Sequence, residues 1–160
     1  MHAFTRRLVA RIGEAHPEAI GDSLIDCAEI MRMWQLFAGD PRGHSVVGPF
    51  SDKEPYPHVR AGDVDALKVA LIEFIQRHPH HPQLCGAVFG LMKLAAPDTR
   101  DLLIEVLRDC LGRDSHALFQ TMLALEALGE DLYGRELSRS FNDVEHNESL
   151  ARKWLSERRF

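Results

Sequence analysis

No run of about 18 apolar residues occurs in this 160-residue chain, so no segment of it reads as a transmembrane helix. Cysteine is scarce as well. Cys27, Cys85 and Cys110 are widely spaced, and each sits in an apolar context. An odd, unframed set of this kind reads as buried reduced thiols in a reducing compartment, not as a disulfide scaffold. A basic excess is also missing: 19 lysines and arginines stand against 24 acidic residues, a net charge of −5. That sign disfavours duplex nucleic acid as the main partner, because phosphate binding needs a basic footprint. The familiar catalytic signatures are absent too. The chain has no Gly-x-Ser-x-Gly elbow, phosphate loop, dinucleotide glycine fingerprint, His-Glu-x-x-His or Cys-x-x-Cys. The opening stretch "MHAFTRRLVARIGEAH" carries Arg6, Arg7 and Arg11 among its apolar residues, so it lacks the apolar region of a secretory signal. A cytoplasmic chain, with no membrane, nucleic-acid, metal or cofactor partner, is the expectation.

What the chain does have is helical periodicity. Phe4, Leu8, Ile12 and Ala15 recur at helical spacing until Pro17. A second helix is expected to open around Pro17, with Ile20, Leu24, Cys27, Met31, Trp34 and Ala38 as one stripe and Ile30, Met33 and Phe37 as another. A helix apolar over so much of its circumference is expected to be buried on more than one side. Residues 40–62, "DPRGHSVVGPFSDKEPYPHVRAG", break the pattern with four prolines and three glycines, and only "SVV" could form a brief strand. So long a connection is often functional.

From Asp63 the stripes resume. Leu67, Ala70, Leu71, Phe74 and Ile75 mark one helix, and Leu84, Val88, Leu91, Met92 and Ala95 the next. Leu103, Val106, Leu107 and Cys110 mark a third, with Asp98 as its expected cap and Gly112 as its stop. Asp114 or Ser115 is expected to cap a fourth, which carries Leu118, Met122, Leu125 and Leu128 and ends at Gly129. A shorter helical turn is expected between Glu130 and Asp143. Val144, Leu150, Ala151, Trp154 and Leu155 suggest a last amphipathic helix, started by the polar "DVEHNES".

The stretch "RHPHHP" (Arg77 to Pro82) holds three histidines and resembles a metal cluster. Its position between two apolar stripes argues instead for a joint between helices. Pro79 stops one helix, Pro82 suits the first turn of the next, and His80 and His81 fall in a tight exposed turn. Neighbouring loop residues rarely converge on one ion, and no partner motif with ligand spacing occurs elsewhere.

The helix pairs over residues 65–98 and 99–131 overlay at an offset of 32 to 33 residues. Leu71 then falls on Leu103, Phe74 on Val106, Ile75 on Leu107, Met92 on Leu125 and Ala95 on Leu128. Such a hairpin cannot bury its face alone and must stack on neighbours. The phrase "LFQTMLALEALGED", an apolar helix closing on Leu-Gly and acids, resembles the second helix of a HEAT-like repeat. The resemblance covers about residues 63–131, and the first unit departs from it, ending in Ala-Ala-Pro-Asp. It implies a single all-α domain over 1–160, with antiparallel helical hairpins stacked as a short HEAT-like α-solenoid or a compact helical bundle and one long loop at 40–62. It also implies a protein-binding surface.

A small, acidic, motif-free helical chain is similar in general character to the immunity proteins that neutralise bacterial toxins. The functional expectation is therefore a cytoplasmic inhibitor that binds another, basic protein through Asp40, Asp52, Glu54 and Tyr56 of the loop and Glu126, Glu130 and Asp131 at a helix end. The alternative is a histidine-dependent or metal enzyme that uses His44 and His58 of the loop with His78, His80 and His81. Nucleic-acid binding through Arg6, Arg7 and Arg11 is a third reading, opposed by the overall charge.

Overall fold

Leu8 and Ile12 sit one turn apart on a twelve-residue helix, Ala3–Glu14 (α1), and both are buried together with Thr5. The computed structural model describes residues 1, 3–37, 44–45, 58–134 and 139–158. Among them the fold is all-α, a compact helical bundle. After α1 come Pro17–Phe37 (α2), Ala61–Arg77 (α3), Leu84–Leu94 (α4), Arg100–Cys110 (α5), Ser115–Ala127 (α6) and Val144–Glu157 (α7). A 3₁₀ turn, Pro97–Thr99, leads into α5.

The helices pair as sequential hairpins, and the hairpins stack. α4 lies between α2 and α6, forming one layer, while α1 packs against α3 in a second layer. α5 packs on α6 as α3 packs on α4, and α7 closes against α6. One core runs through the whole assembly, from Leu8 and Ile12 through Leu67, Leu71 and Leu91 to Leu125, Ala151 and Trp154. On α2, Ile20, Leu24, Cys27 and Met31 of one expected stripe and Ile30 of the other are buried, Met33 and Trp34 are half-buried, and the side chains of Phe37 and Ala38 lie outside the described residues.

The helix ends show local chemistry at work. Asp114 caps α6 by accepting the Ala117 N–H at 2.9 Å, and Asp143 caps α7 by accepting that of His146 at 3.3 Å. Gly129 closes α6 at φ +88°, a left-handed conformation that suits glycine. Ala95 closes α4 in the same region, at φ 49°.

Several expectations need correction. Asp98 does not cap α5. It lies inside the 3₁₀ turn and its carboxylate takes the Lys68 ammonium at 2.7 Å, while Thr99 Oγ1 donates to the Ala96 carbonyl. Pro17 opens α2 as expected, but it does not end α1, which already stops at Glu14 with Ala15 turned left-handed, at φ 51°. Pro82 lies in the turn ahead of α4, two residues short of its start. In the second helices of the repeat the helix ends keep the offset of 33, Leu94 with Ala127 and Ala95 with Leu128, whereas burial and the left-handed residue follow 34. Ala95 then matches Gly129, and buried Leu84, Val88 and Leu91 match buried Leu118, Met122 and Leu125. Positions i+3 and i+4 share one helix face, so apolar spacing alone leaves a one-residue slip open. Residues 131–134 and 139–143 hold no helix, and residues 135–138 of the expected helical turn lie outside the described residues.

The 40–62 connection also differs from an unbroken loop. His44–Ser45 (β1) pairs antiparallel with His58–Val59 (β2), and α3 begins at Ala61. Of the expected "SVV" strand only Ser45 falls among the described residues.

A close approach holds α4 in place. A Cβ added at Gly90 would lie 2.8 Å from Leu71 Cδ1, and one at Gly86 would lie 3.1 Å from Leu24 Cδ1. Leu71 is fully buried and has little room to move. Gly90→Val is therefore expected to destabilise the chain by about 1–3 kcal/mol through overpacking. Gly13→Ala, at an open position of α1, is expected to stabilise it by about 0.4–1 kcal/mol. Urea denaturation midpoints of the two variants check the pair, and a Gly90→Val midpoint equal to that of the unsubstituted chain would contradict the close-packing account.

Candidate functional site

The acidic residues proposed at the end of α6 are engaged inside the molecule. Glu130 accepts from Arg100 Nε at 2.5 Å and pairs with Arg158 through its other oxygen. Glu126 accepts the Tyr133 N–H at 3.2 Å and meets Arg139 at 2.5 Å. Both carboxylates are largely covered, so their charge ties α5, α6 and the residues after α6 together. Asp131 is the exposed member of the set. It rims a cleft of about 480 Å³ with Tyr133, Lys153, Trp154 and Glu157, over which the Arg158 guanidinium stacks on Trp154 at 4.1 Å. Below the cleft, the Tyr133 hydroxyl donates to Asn147 Oδ1 at 3.4 Å, and Asn147 Nδ2 donates to the Ser140 carbonyl at 2.9 Å. Asp40, Asp52, Glu54 and Tyr56 lie outside the described residues.

The histidine-rich joint resolves into packing and backbone hydrogen bonds. His81 Nε2 donates to the Ala15 carbonyl at 3.1 Å, and His81 Nδ1 accepts the Gln83 N–H at 3.0 Å. Both ring nitrogens are thus occupied, and the ring packs edge-on against Phe74 at 5.0 Å. This corrects the expectation of an exposed turn residue: His81 is half-buried and links the end of α1 to the turn before α4. His78 caps α3 and leans on the same phenylalanine, whereas His80 is exposed. Among the described residues no three histidine, cysteine or acidic side chains converge in a way that could hold a metal ion. Nor does any helix among them have the length and apolarity to cross a membrane.

The three thiols are free and structural in setting. Burial pushes the Cys110 thiol up to about 12, aided by Asp114 and Asp109, and raises Cys27 and Cys85 as well. Groups held protonated in this way are poor nucleophiles at neutral pH.

A different surface emerges on the outer side of the α2–α4–α6 layer. Ile25 on α2 and Phe89 on α4 are 50% and 36% exposed, respectively, high values for large apolar side chains. α2 and α4 run side by side in the same sense: Leu24 lies near Gly86, and Gln35 donates to the Leu94 carbonyl. One turn beyond Ile25 and Phe89 stand Glu29 and Lys93. The Glu29 carboxylate is held below its usual range by hydrogen bonds from Arg32, with the charges of Arg32 and Lys93 assisting. Arg32 Nε donates to it at 2.9 Å, and the Lys93 ammonium lies 4.6 Å above the Phe89 ring. Gln120 of α6 reaches the Met92 sulfur at 3.2 Å, carrying the surface on to the third helix. Sequence reasoning passed over this pair because each residue adjoins an apolar stripe. The available signal was Ile25 standing among Asp22, Asp26 and Glu29, on the polar side of α2.

Comparison with family models, curated proteins and solved structures returns no match for this chain.

The buried thiols give a pH dependence of known sign. The unfolded chain loses the Cys110 proton near the ordinary value of 9.0, while the folded chain keeps it to about 12. The unfolded state therefore binds fewer protons between these limits, and unfolding becomes easier as pH rises through them. Stability measured by urea at pH 8, 9 and 10 is expected to fall, with a shallower fall in Cys110→Ala. An identical slope in that variant would remove the thiol as the cause. Separately, Glu130→Ala is expected to lower stability by about 1–3 kcal/mol, since it leaves Arg100 and Arg158 without their shared carboxylate. Chemical denaturation measures that loss.

Proposed function

We propose that this chain is a protein-binding module, a cytoplasmic inhibitor of the immunity type, and that it meets its partner through the α2–α4–α6 face. The observation that carries the reading is the exposed pair Ile25 and Phe89, set between Glu29, Arg32 and Lys93 on adjoining helices. An apolar centre within a charged rim is the make-up of a protein interface. Stacked hairpins support a HEAT-like reading, because neighbouring helices of one layer build a continuous binding surface. The net charge of −5 supports a basic partner, which long-range attraction would bring in faster. Asp131 and the loop residues Asp40, Asp52 and Glu54 belong to the proposal as contributors to that charge, and Tyr56 as an aromatic contact beside them in sequence, whereas Glu126 and Glu130 serve the fold.

The test is partner capture on immobilised chain, followed by titration of the captured protein against variants. Ile25→Asp and Phe89→Asp are each expected to weaken binding roughly thirtyfold or more, as the loss of an interface centre does. Gln76→Ala, an uncharged exposed position on α3, is expected to bind as the unsubstituted chain does. Unchanged affinity in both aspartate variants, with helix content intact by circular dichroism, would rule this face out.

A further inference from the structure

The outer side of α1, α3 and α5 carries an uneven charge that the proposed partner face does not use. α1 packs on α3, and α5 is tied beside α3 at both ends, by the Lys68–Asp98 ion pair ahead of it and by Arg113 donating to the Pro79 carbonyl behind it. On α1, Arg6, Arg7 and Arg11 are all exposed, and none has a carboxylate partner among the described residues. Arg7 lies only over the Phe4 ring of its own helix, at 5.8 Å. Glu14 offsets one of these charges, leaving two positive charges in excess. The apolar side of α1 is spent on the core through Leu8 and Ile12, so this helix offers charge and not an insertable apolar face.

Two hairpins further on, α5 presents the opposite sign. Asp101, Glu105 and Asp109 are spaced four apart, which sets them along one face, and all three are exposed. Asp101 touches Arg100 at 3.3 Å, and Arg108 is the one further cation exposed on this helix. Two negative charges remain in excess there once Arg108 is set against the three acids. Between the two ridges lies α3, whose Val69 is 49% exposed beside a groove of about 210 Å³ floored by Val9, Ile12 and Phe74.

We propose that this side is a self-association surface, on which α1 of one copy lies against α5 of a second copy and the reciprocal pair forms across a two-fold axis near α3. A two-fold interface must be complementary to itself: whatever residue i meets, the partner's residue i must meet too. A surface ordered positive, apolar, negative satisfies this when a second copy is laid on it antiparallel. The excess charges are equal and opposite, and Val69 falls near the axis, where each copy offers it the other's apolar groove. A long polyanion fits less well, because beyond α1 it would meet the acids of α5 and a chain of net charge −5. Exposed ion pairs are individually weak and screened by salt, so the association is weak and salt-dependent. It uses a different side from the Ile25–Phe89 face, and either can hold without the other.

Analytical ultracentrifugation of the full chain over a concentration series tests it. Dimer is expected at low salt, with its dissociation constant raised roughly tenfold or more at about 0.5 M salt. Arg7→Glu with Arg11→Glu makes both ridges acidic, and Glu105→Lys with Asp109→Lys makes both basic. Each double variant is expected to be monomeric alone, and an equimolar mixture of the two is expected to form a heterodimer. All four positions are exposed, so folding, checked by circular dichroism, is expected to survive. Monomer at every concentration in low salt would overturn the proposal. So would a dimer indifferent to both double variants, or a mixture that fails to associate.

Discussion

The close approach of α4 to its neighbours is the constraint on which the rest of the fold depends. α4 is only eleven residues long, yet it meets α2, α3 and α6. Gly86 admits Leu24 on one side, and Gly90 admits Leu71 on another. Without side chains at these positions the two layers interlock, and Leu84, Val88 and Leu91 fill the space between them. A helix packed on so many sides needs small residues where backbones come close and large ones where they diverge. The exposed strip left on α4 is narrow, and Phe89 occupies it.

Charge in this molecule is divided between fold and surface. At the end of α6, Glu126 and Glu130 gather Arg100, Arg139 and Arg158, residues far apart in sequence, and so join α5 and α6 to the segments on either side of α7. The same composition leaves α1 with arginines that find no acid among the described residues. Net charge alone cannot reveal this division, since an ion pair cancels in the sum wherever it sits.

The helices were legible in the sequence because apolar spacing and capping residues agreed. Asp114 and Asp143 cap where their positions before apolar runs implied, and Gly129 ends α6 as a left-handed glycine should. Legibility failed where tertiary contact overrode local preference. Asp98 was drawn to Lys68, thirty residues away, instead of to the start of its own helix. His81 looked like a loop residue because nothing local reveals that the Ala15 carbonyl will face it. Glu126 and Glu130 read as free charge for the same reason, since their arginine partners lie far off in sequence. The Ile25–Phe89 pair needed the side-by-side alignment of α2 and α4, a relation that no single helix pattern contains.

The layering has a consequence for how the molecule opens. α7 is joined to the body chiefly along α6, and α1 leans on α2 and α3, whereas α4 is held by α2 and α6 on either side and by α3 beneath. Breathing motions can release α7 or α1 while the middle stays closed. The amide hydrogens of α4 have no such local route to solvent. They would exchange with deuterium at the pace of global unfolding, making this short inner helix the slowest clock in the chain.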